Sequence, residues 1–314
     1  MNALIDLSKR IEMTNEAMGR IGQMLKKTPA SPGLLMNLET MERAHFHLTN
    51  EFENAARSLG VEICTYRLFP EGTQRHSITG IGKAFINFQT LFSIVYEAVK
   101  IDKPRKSQHP SNDIAEETLL DYAYSFPGSV GVAFTVPSQA SLYGNYFDET
   151  IGELFSMAKS RSSQDLKKFS RRLGVGPVRA MYRWADDLAK SGFGIDVQWK
   201  GSQVEHSRLY VQKVELQSLT ASILATSEET NSEFTVEGIL QGADVPTRNF
   251  HFQYRDQKNR KKDIRGKFID AIKADHPVKI PGRYRAKIQR TTTTNYSLEE
   301  DEIKHLLVDL KEIK

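Results

Sequence analysis

Leu4-Ile-Asp-Leu7-Ser-Lys-Arg-Ile11 begins a run in which apolar side chains return at Met18, Ile21 and Leu25, an alternating three-and-four spacing interrupted only at Thr14. That spacing draws one narrow apolar seam along a helix. Thr28-Pro-Ala-Ser-Pro-Gly33 cannot continue the helix, and the spacing resumes at Leu38, Met41, His45, Leu48, Phe52, Ala55 and Leu59. Two seamed helices across a short Pro/Gly connection predict an antiparallel helical hairpin over residues 1–59, coiled-coil-like, with arms about 35 Å long at ~1.5 Å per residue. Six of the eight methionines lie at or before Met41. Thioethers fill irregular seams and also make adaptable docking surfaces. A strict seam serves pairing within a chain and between chains equally, so a homodimer or a protein partner on the hairpin is an expected use beside internal packing.

Beyond the hairpin, Gly60 closes the second helix and Val61 to Phe69 reads as a strand ended by Pro70-Glu-Gly72. A returning strand is expected near His76 to Ile81. An amphipathic helix then runs through Phe85, Phe88, Leu91, Phe92, Val95 and Val99, followed by an exposed loop from Ile101 to Asn112. Leu119 to Val136 alternates on both sides of Phe126-Pro-Gly128, as two strands and a turn do, and helical spacing returns at Phe147, Ile151, Leu154 and Met157. Gln164 to Leu188 reads as two helices joined at Leu173-Gly-Val-Gly-Pro177, the outline of a helix-turn-helix DNA reader. Met181, Trp184 and Leu188 have the spacing of packing residues, which favours helices that cover a sheet. Ile195 to Trp199 and Arg208 to Val214 alternate as strands, and Leu216 to Leu224 repeats as a helix. Residues 60–228 are thus expected to form a central α+β domain with a mostly antiparallel sheet, ending in a polar linker, Ser227 to Ser232.

Over residues 229–314 the period changes to two. Phe234, Val236 and Leu240 alternate with polar residues, as do Phe250, Phe252 and Tyr254, then Ile264 and Phe268, then Tyr284, Ala286 and Ile288, then Leu306, Val308 and Leu310. Five short strands, with a sixth at Val278 to Ile280, predict a small β-barrel, and Gly238 and Gly266 inside strands suit its sharp coiling. The fold class is α+β throughout.

Charge supplies the functional clue. The chain carries a net charge of +4, yet Arg255 to Arg290 alone holds thirteen Lys/Arg against four Asp. Lys159 to Arg183 holds eight against Asp165. If Tyr284, Ala286 and Ile288 face inward, Arg283, Arg285 and Lys287 face outward together. Lys258, Arg260, Lys261, Lys262, Arg265 and Lys267 stand beside them, and these nine form the expected nucleic-acid-binding set. The aromatic residues alternate inward, so contact with DNA or RNA phosphates independent of sequence is favoured over base stacking.

Catalytic motifs are missing. Gly80-Ile-Gly-Lys83 lacks the spacing of a phosphate-binding loop. Glu42 and His45 are three apart, as metal carboxylate sites require, but have no second pair. Asp196 with Gln198-Trp-Lys200 is the nearest nuclease-like pattern and lacks a second defined carboxylate. No metal, cofactor or catalytic residue is therefore expected, and the enzyme question leans to no. The single Cys64 excludes an intrachain disulfide and suits a cytoplasmic protein. Asp6, Lys9 and Arg10 argue against a secretory signal, and no run of about twenty apolar residues suggests a membrane span. The leading expectation is a non-enzymatic nucleic-acid-binding or partner-docking protein, with a protein–protein interaction scaffold and a metal-dependent nuclease on the central sheet as the alternatives.

Overall fold

The computed structural model describes residues 2–71, 77–126, 130–137, 146–201, 207–269, 278–298 and 300–313. The seam and the Pro/Gly break produce helices α1 (Asn2–Lys27) and α2 (Pro32–Ser58), paired along their length. Pro32 stands in the first turn of α2, where its missing N–H has no helical partner to lose. The chain divides into two compact units, residues 1–226 and 227–314, and the hairpin lies within the first. Each unit has its own sheet, and the described residues form a mixed α+β protein with eight helices.

In the first unit, β1 (Val61–Pro70), β2 (Asp121–Phe126), β3 (Val130–Pro137), β4 (Phe193–Lys200) and β5 (Ser207–Val211) form an antiparallel sheet in the order β2-β3-β1-β4-β5. Alternation gives it two faces. One face carries Cys64, Tyr66, Leu68, Val197 and Trp199, all buried. It packs on α3 (Ile78–Ile101), α5 (Tyr146–Lys159) and α7 (Val175–Lys190), where Tyr66 meets Phe88, Trp199 meets Phe92 and Phe147, and the Trp184 indole donates to the Tyr66 hydroxyl at 3.0 Å. The other face carries Ile63, Ala133 and Tyr124, which share a core with Leu4, Ile11, Leu48, Phe52 and Ala56 of the hairpin. Only this end of the seam is fully buried. Met18, Ile21, Leu25, Leu38 and Met41 are half-buried, because past the sheet each arm has only the other arm to lie against.

One local expectation changes, and two features are added. The strand expected at 76–81 is the start of α3, where Ser77 accepts a hydrogen bond from the Gly80 N–H at 3.0 Å; a capped end followed by helical apolar spacing outweighs a short alternation, and His76 lies outside the described residues. The loop expected from Ile101 to Asn112 is present and mostly exposed; it is pinned at Arg105 and runs into a short helix, α4 (Asn112–Glu117). There the Arg105 N–H donates to Leu173 O at 2.8 Å and the Gly176 N–H to Arg105 O at 2.9 Å. A Cβ on Gly174 would come within 2.1 Å of that backbone, which explains the two glycines between α6 (Ser163–Leu173) and α7. By length and composition alone α3 could cross a membrane, yet Phe88, Leu91, Phe92, Val95 and Tyr96 on it are buried within the unit.

The second unit holds β6 (Ser227–Asp244), β7 (Asn249–Arg255), β8 (Lys261–Phe268), β9 (Gly282–Asn295) and β10 (Glu302–Glu312). The residues expected as a polar linker, Ser227 to Ser232, are the first part of β6, paired with the far half of β9. They read as linker because that ribbon extends beyond the apolar core and has no buried side to alternate. Val278 to Ile280 is not a strand. The sheet order is β10-β8-β7-β6-β9, and β10 also pairs antiparallel with β9, so the sheet closes on itself. The β8–β10 contact is parallel and the others are antiparallel. Leu240, Phe250, Phe252, Ile264, Tyr284, Ala286, Ile288 and Leu307 fill the interior. Two strand glycines permit the closure: a Cβ on Gly266 would lie 2.1 Å from His305 O of β10, and one on Gly238 2.2 Å from Gln253 O of β7.

Candidate nucleic-acid interface

Strand alternation sets the direction of every cation in the second unit. Tyr284, Ala286 and Ile288 are buried, while Arg283, Arg285 and Lys287 between them are exposed. The neighbour of this row is β6, whose outward side is acidic. Arg285 donates to Glu237 at 2.7 Å and Lys287 lies 2.8 Å from Glu233. Across residues 227–314 the charges nearly balance, seventeen Lys/Arg against fifteen Asp/Glu. The dense basic stretch is thus laid beside acids that are distant in sequence.

At the β7–β8 turn, Asp256 accepts the N–H groups of Lys258 and Arg260, each at 2.9 Å, and the Arg260 guanidinium. These bonds hold its carboxyl below the usual carboxylate range. Arg260 is therefore part of the turn, while Lys258, Lys261 and Lys262 are exposed around it.

Arg265 and Lys267 have a different setting. They flank a cavity of about 920 Å³ formed by the end of β6, the start of β7, the end of β8 and the start of β10. Phe250, Ile303 and Leu306 supply apolar wall, and His251, Lys304 and His305 add polar groups. Neither Arg265 nor Lys267 forms an ion pair among the described residues. Lys304 lies 3.0 Å from Glu302, an exposed pair worth ~0–1 kcal/mol. The nearby Asp263 is held by His251 at 2.9 Å and Gln253 at 3.2 Å, and the His251 bond leads the causes that lower its carboxyl. Burial lowers the His305 imidazole, which keeps its neutral form favoured.

Of the nine residues expected from sequence, the structure places Arg265 and Lys267 at the cavity, Lys258, Lys261 and Lys262 around the adjoining turn, Arg260, Arg285 and Lys287 in ion pairs, and Arg283 on the β9 row. Sequence reading misses His251, Lys304 and His305. Lys304 follows an acidic stretch, Glu299 to Glu302, so charge density hides it.

Elsewhere, the second basic stretch is occupied internally. Arg172 reaches Glu149 and Glu153, Arg161 reaches Glu215, and Lys168 reaches Asp165. The would-be recognition helix α7 is buried from Val175 to Met181 and again at Trp184, so it cannot enter a groove. Asp196 accepts from the Arg208 Nε and Nη2 at 2.8 Å each, and Lys200 is held by Glu53. Compared with protein families, curated proteins and solved structures, the chain matches none.

Proposed function

We propose that this chain is a non-enzymatic nucleic-acid-binding protein whose closed sheet, a small β-barrel, contacts the phosphate backbone of DNA or RNA without reading its sequence. The observation that carries this is the strand order with its one parallel pair, β8 beside β10. Taken from the first strand, it runs 1-2-3-5-4-1, the order of a five-stranded Greek-key barrel that binds oligonucleotides on its second and third strands. Arg265 and Lys267 stand on the third strand, and the cavity beside them is of a size that takes small ligands. The exposed Met13, Met24, Leu35, Met36 and Phe46 support a second role for the hairpin, self-association or docking of a protein partner. A cytoplasmic location fits the one unpaired cysteine, Cys64.

The near-neutral balance of the second unit favours one rival, an interaction scaffold with no nucleic-acid partner. Fluorescence anisotropy with labelled single-stranded DNA, single-stranded RNA and duplex DNA, run across a salt series, separates the two. Arg265→Ala with Lys267→Ala is expected to lower the logarithmic salt slope on single strands by about 1.4, from ~0.7 per phosphate contact. No binding of any of the three at low salt leaves the scaffold reading.

A further inference from the structure

The hairpin carries two stripes of exposed side chains, one on each arm, and neither belongs to the seam that joins the arms. On α1 the stripe is Met13, Glu16, Arg20 and Met24; on α2 it is Leu35, Glu39, Arg43 and Phe46. Steps of three and four residues keep each set on one helix face. The four apolar residues at the stripe ends are each half exposed or more. Between them, Arg20 lies 3.7 Å from Glu16 and Arg43 lies 2.6 Å from Glu39, both pairs open to solvent. Among the described residues no ion pair joins the two arms.

The stripes match when one of them is read backwards. From Met13 the steps are three, four and four, through Glu16 and Arg20 to Met24. From Phe46 towards the N-terminus the steps are again three, four and four, through Arg43 and Glu39 to Leu35. Two helices packed antiparallel on these stripes bring Glu16 opposite Arg43 and Arg20 opposite Glu39, with Met13 against Phe46 and Met24 against Leu35. The arms as wholes are complementary too: α1 carries five Lys/Arg and three Asp/Glu, α2 two Arg and four Glu. In helix pairs such charges set partner and register, while the apolar ends supply the burial. Within one chain the stripes cannot meet, because Ile11, Met18, Ile21, Leu38, Met41 and Leu48 occupy the contact between the arms.

We propose that a second copy of this chain covers these stripes: the α1 stripe of one copy packs antiparallel on the α2 stripe of the other, through the pairs Arg20 with Glu39 and Glu16 with Arg43. This rests on the self-association reading of the hairpin and narrows it to one contact; the closed sheet takes no part in it.

The test is sedimentation velocity on the full chain across a concentration series, with circular dichroism to confirm unchanged helix content. The parent is expected to self-associate as concentration rises. Arg20→Glu sets two acids opposite each other across the contact, and Glu39→Arg two bases, so each variant alone should associate about ten-fold more weakly or worse. An equimolar mixture of the two variants restores opposite charges across the contact and should recover most of the parent's association. The proposal is overturned if the parent stays monomeric, if the two charge variants associate as the parent does, or if their mixture associates no better than either alone. A monomeric parent leaves docking of a different protein as the use of the hairpin, and nucleic-acid binding by the closed sheet, read by anisotropy, stands or falls separately.

Discussion

The open sheet of the first unit carries its charged row, Arg67, Asp196 and Lys200, on a face that the hairpin partly covers, whereas the closed sheet carries its charged rows on the outside. In the open sheet the polar positions are conspicuous because the same face is otherwise core. In the closed sheet outward cations are ordinary, and their meaning depends on the next strand. β9 lies beside the acidic side of β6 and has Arg285 and Lys287 paired, while β8 meets β10 and keeps Arg265 and Lys267 without an ion pair among the described residues. Availability of a charge is thus a property of strand pairing, not of local charge density.

The contrast breaks first if the hairpin does not seal the open sheet. Phe52 is fully buried and stacks edge-on against Tyr124 at 5.3 Å, so Phe52→Ala is expected to destabilise the first unit by about 4 kcal/mol in chemical denaturation. A loss below about 1 kcal/mol means the contact is loose. Next in size is the closure itself. Gly266→Ala forces a methyl into the His305 carbonyl, and about 3 kcal/mol of stability should be lost together with the β8–β10 pairing. Amide exchange that stays slow at Leu306 and Leu307 in this variant would show that the parallel contact does not hold the sheet closed.

A smaller effect sharpens the comparison of the two outward rows. Glu233→Gln with Glu237→Gln releases Lys287 and Arg285, and the salt slope on single-stranded nucleic acid should rise by up to about 1.4. If it stays level, the β9 row lies outside the interface. The smallest effect is a pH dependence. The His305 imidazole is lowered in the folded chain, by burial first and by the Arg290 charge after it, so the unfolded chain binds its proton more readily. This contribution to stability is complete above about pH 6.5 and is lost as pH falls below that value. Melting curves from pH 7.5 to 5 should show the decline in the parent, and a flatter profile in His305→Gln.

Much of the architecture is legible along the chain. The three-and-four seam specifies α1 and α2 because helical period needs no distant partner, and Phe234 to Leu310 specifies strands because alternation with a buried interior is equally local. Gly238 and Gly266 announce sharp coiling before their partners are known. The start of β6 was not legible, since a paired ribbon with no buried side alternates nothing, and neither was α4, which is too short to show a period.

What the sequence by itself determined about this protein is therefore the type of its elements, the inward and outward sides of its strands, and the totals of its charge. Tertiary structure alone decided which strand lies beside which. That choice gave Arg285 and Lys287 their acidic neighbours, left Arg265 and Lys267 beside a cavity with His251, Lys304 and His305, and gathered His45, Arg67 and Gln198 from three distant segments. The physical reason is range: side-chain direction follows from backbone period within a few residues, whereas electrostatic and hydrogen-bond partners are fixed by contacts between segments far apart in the chain.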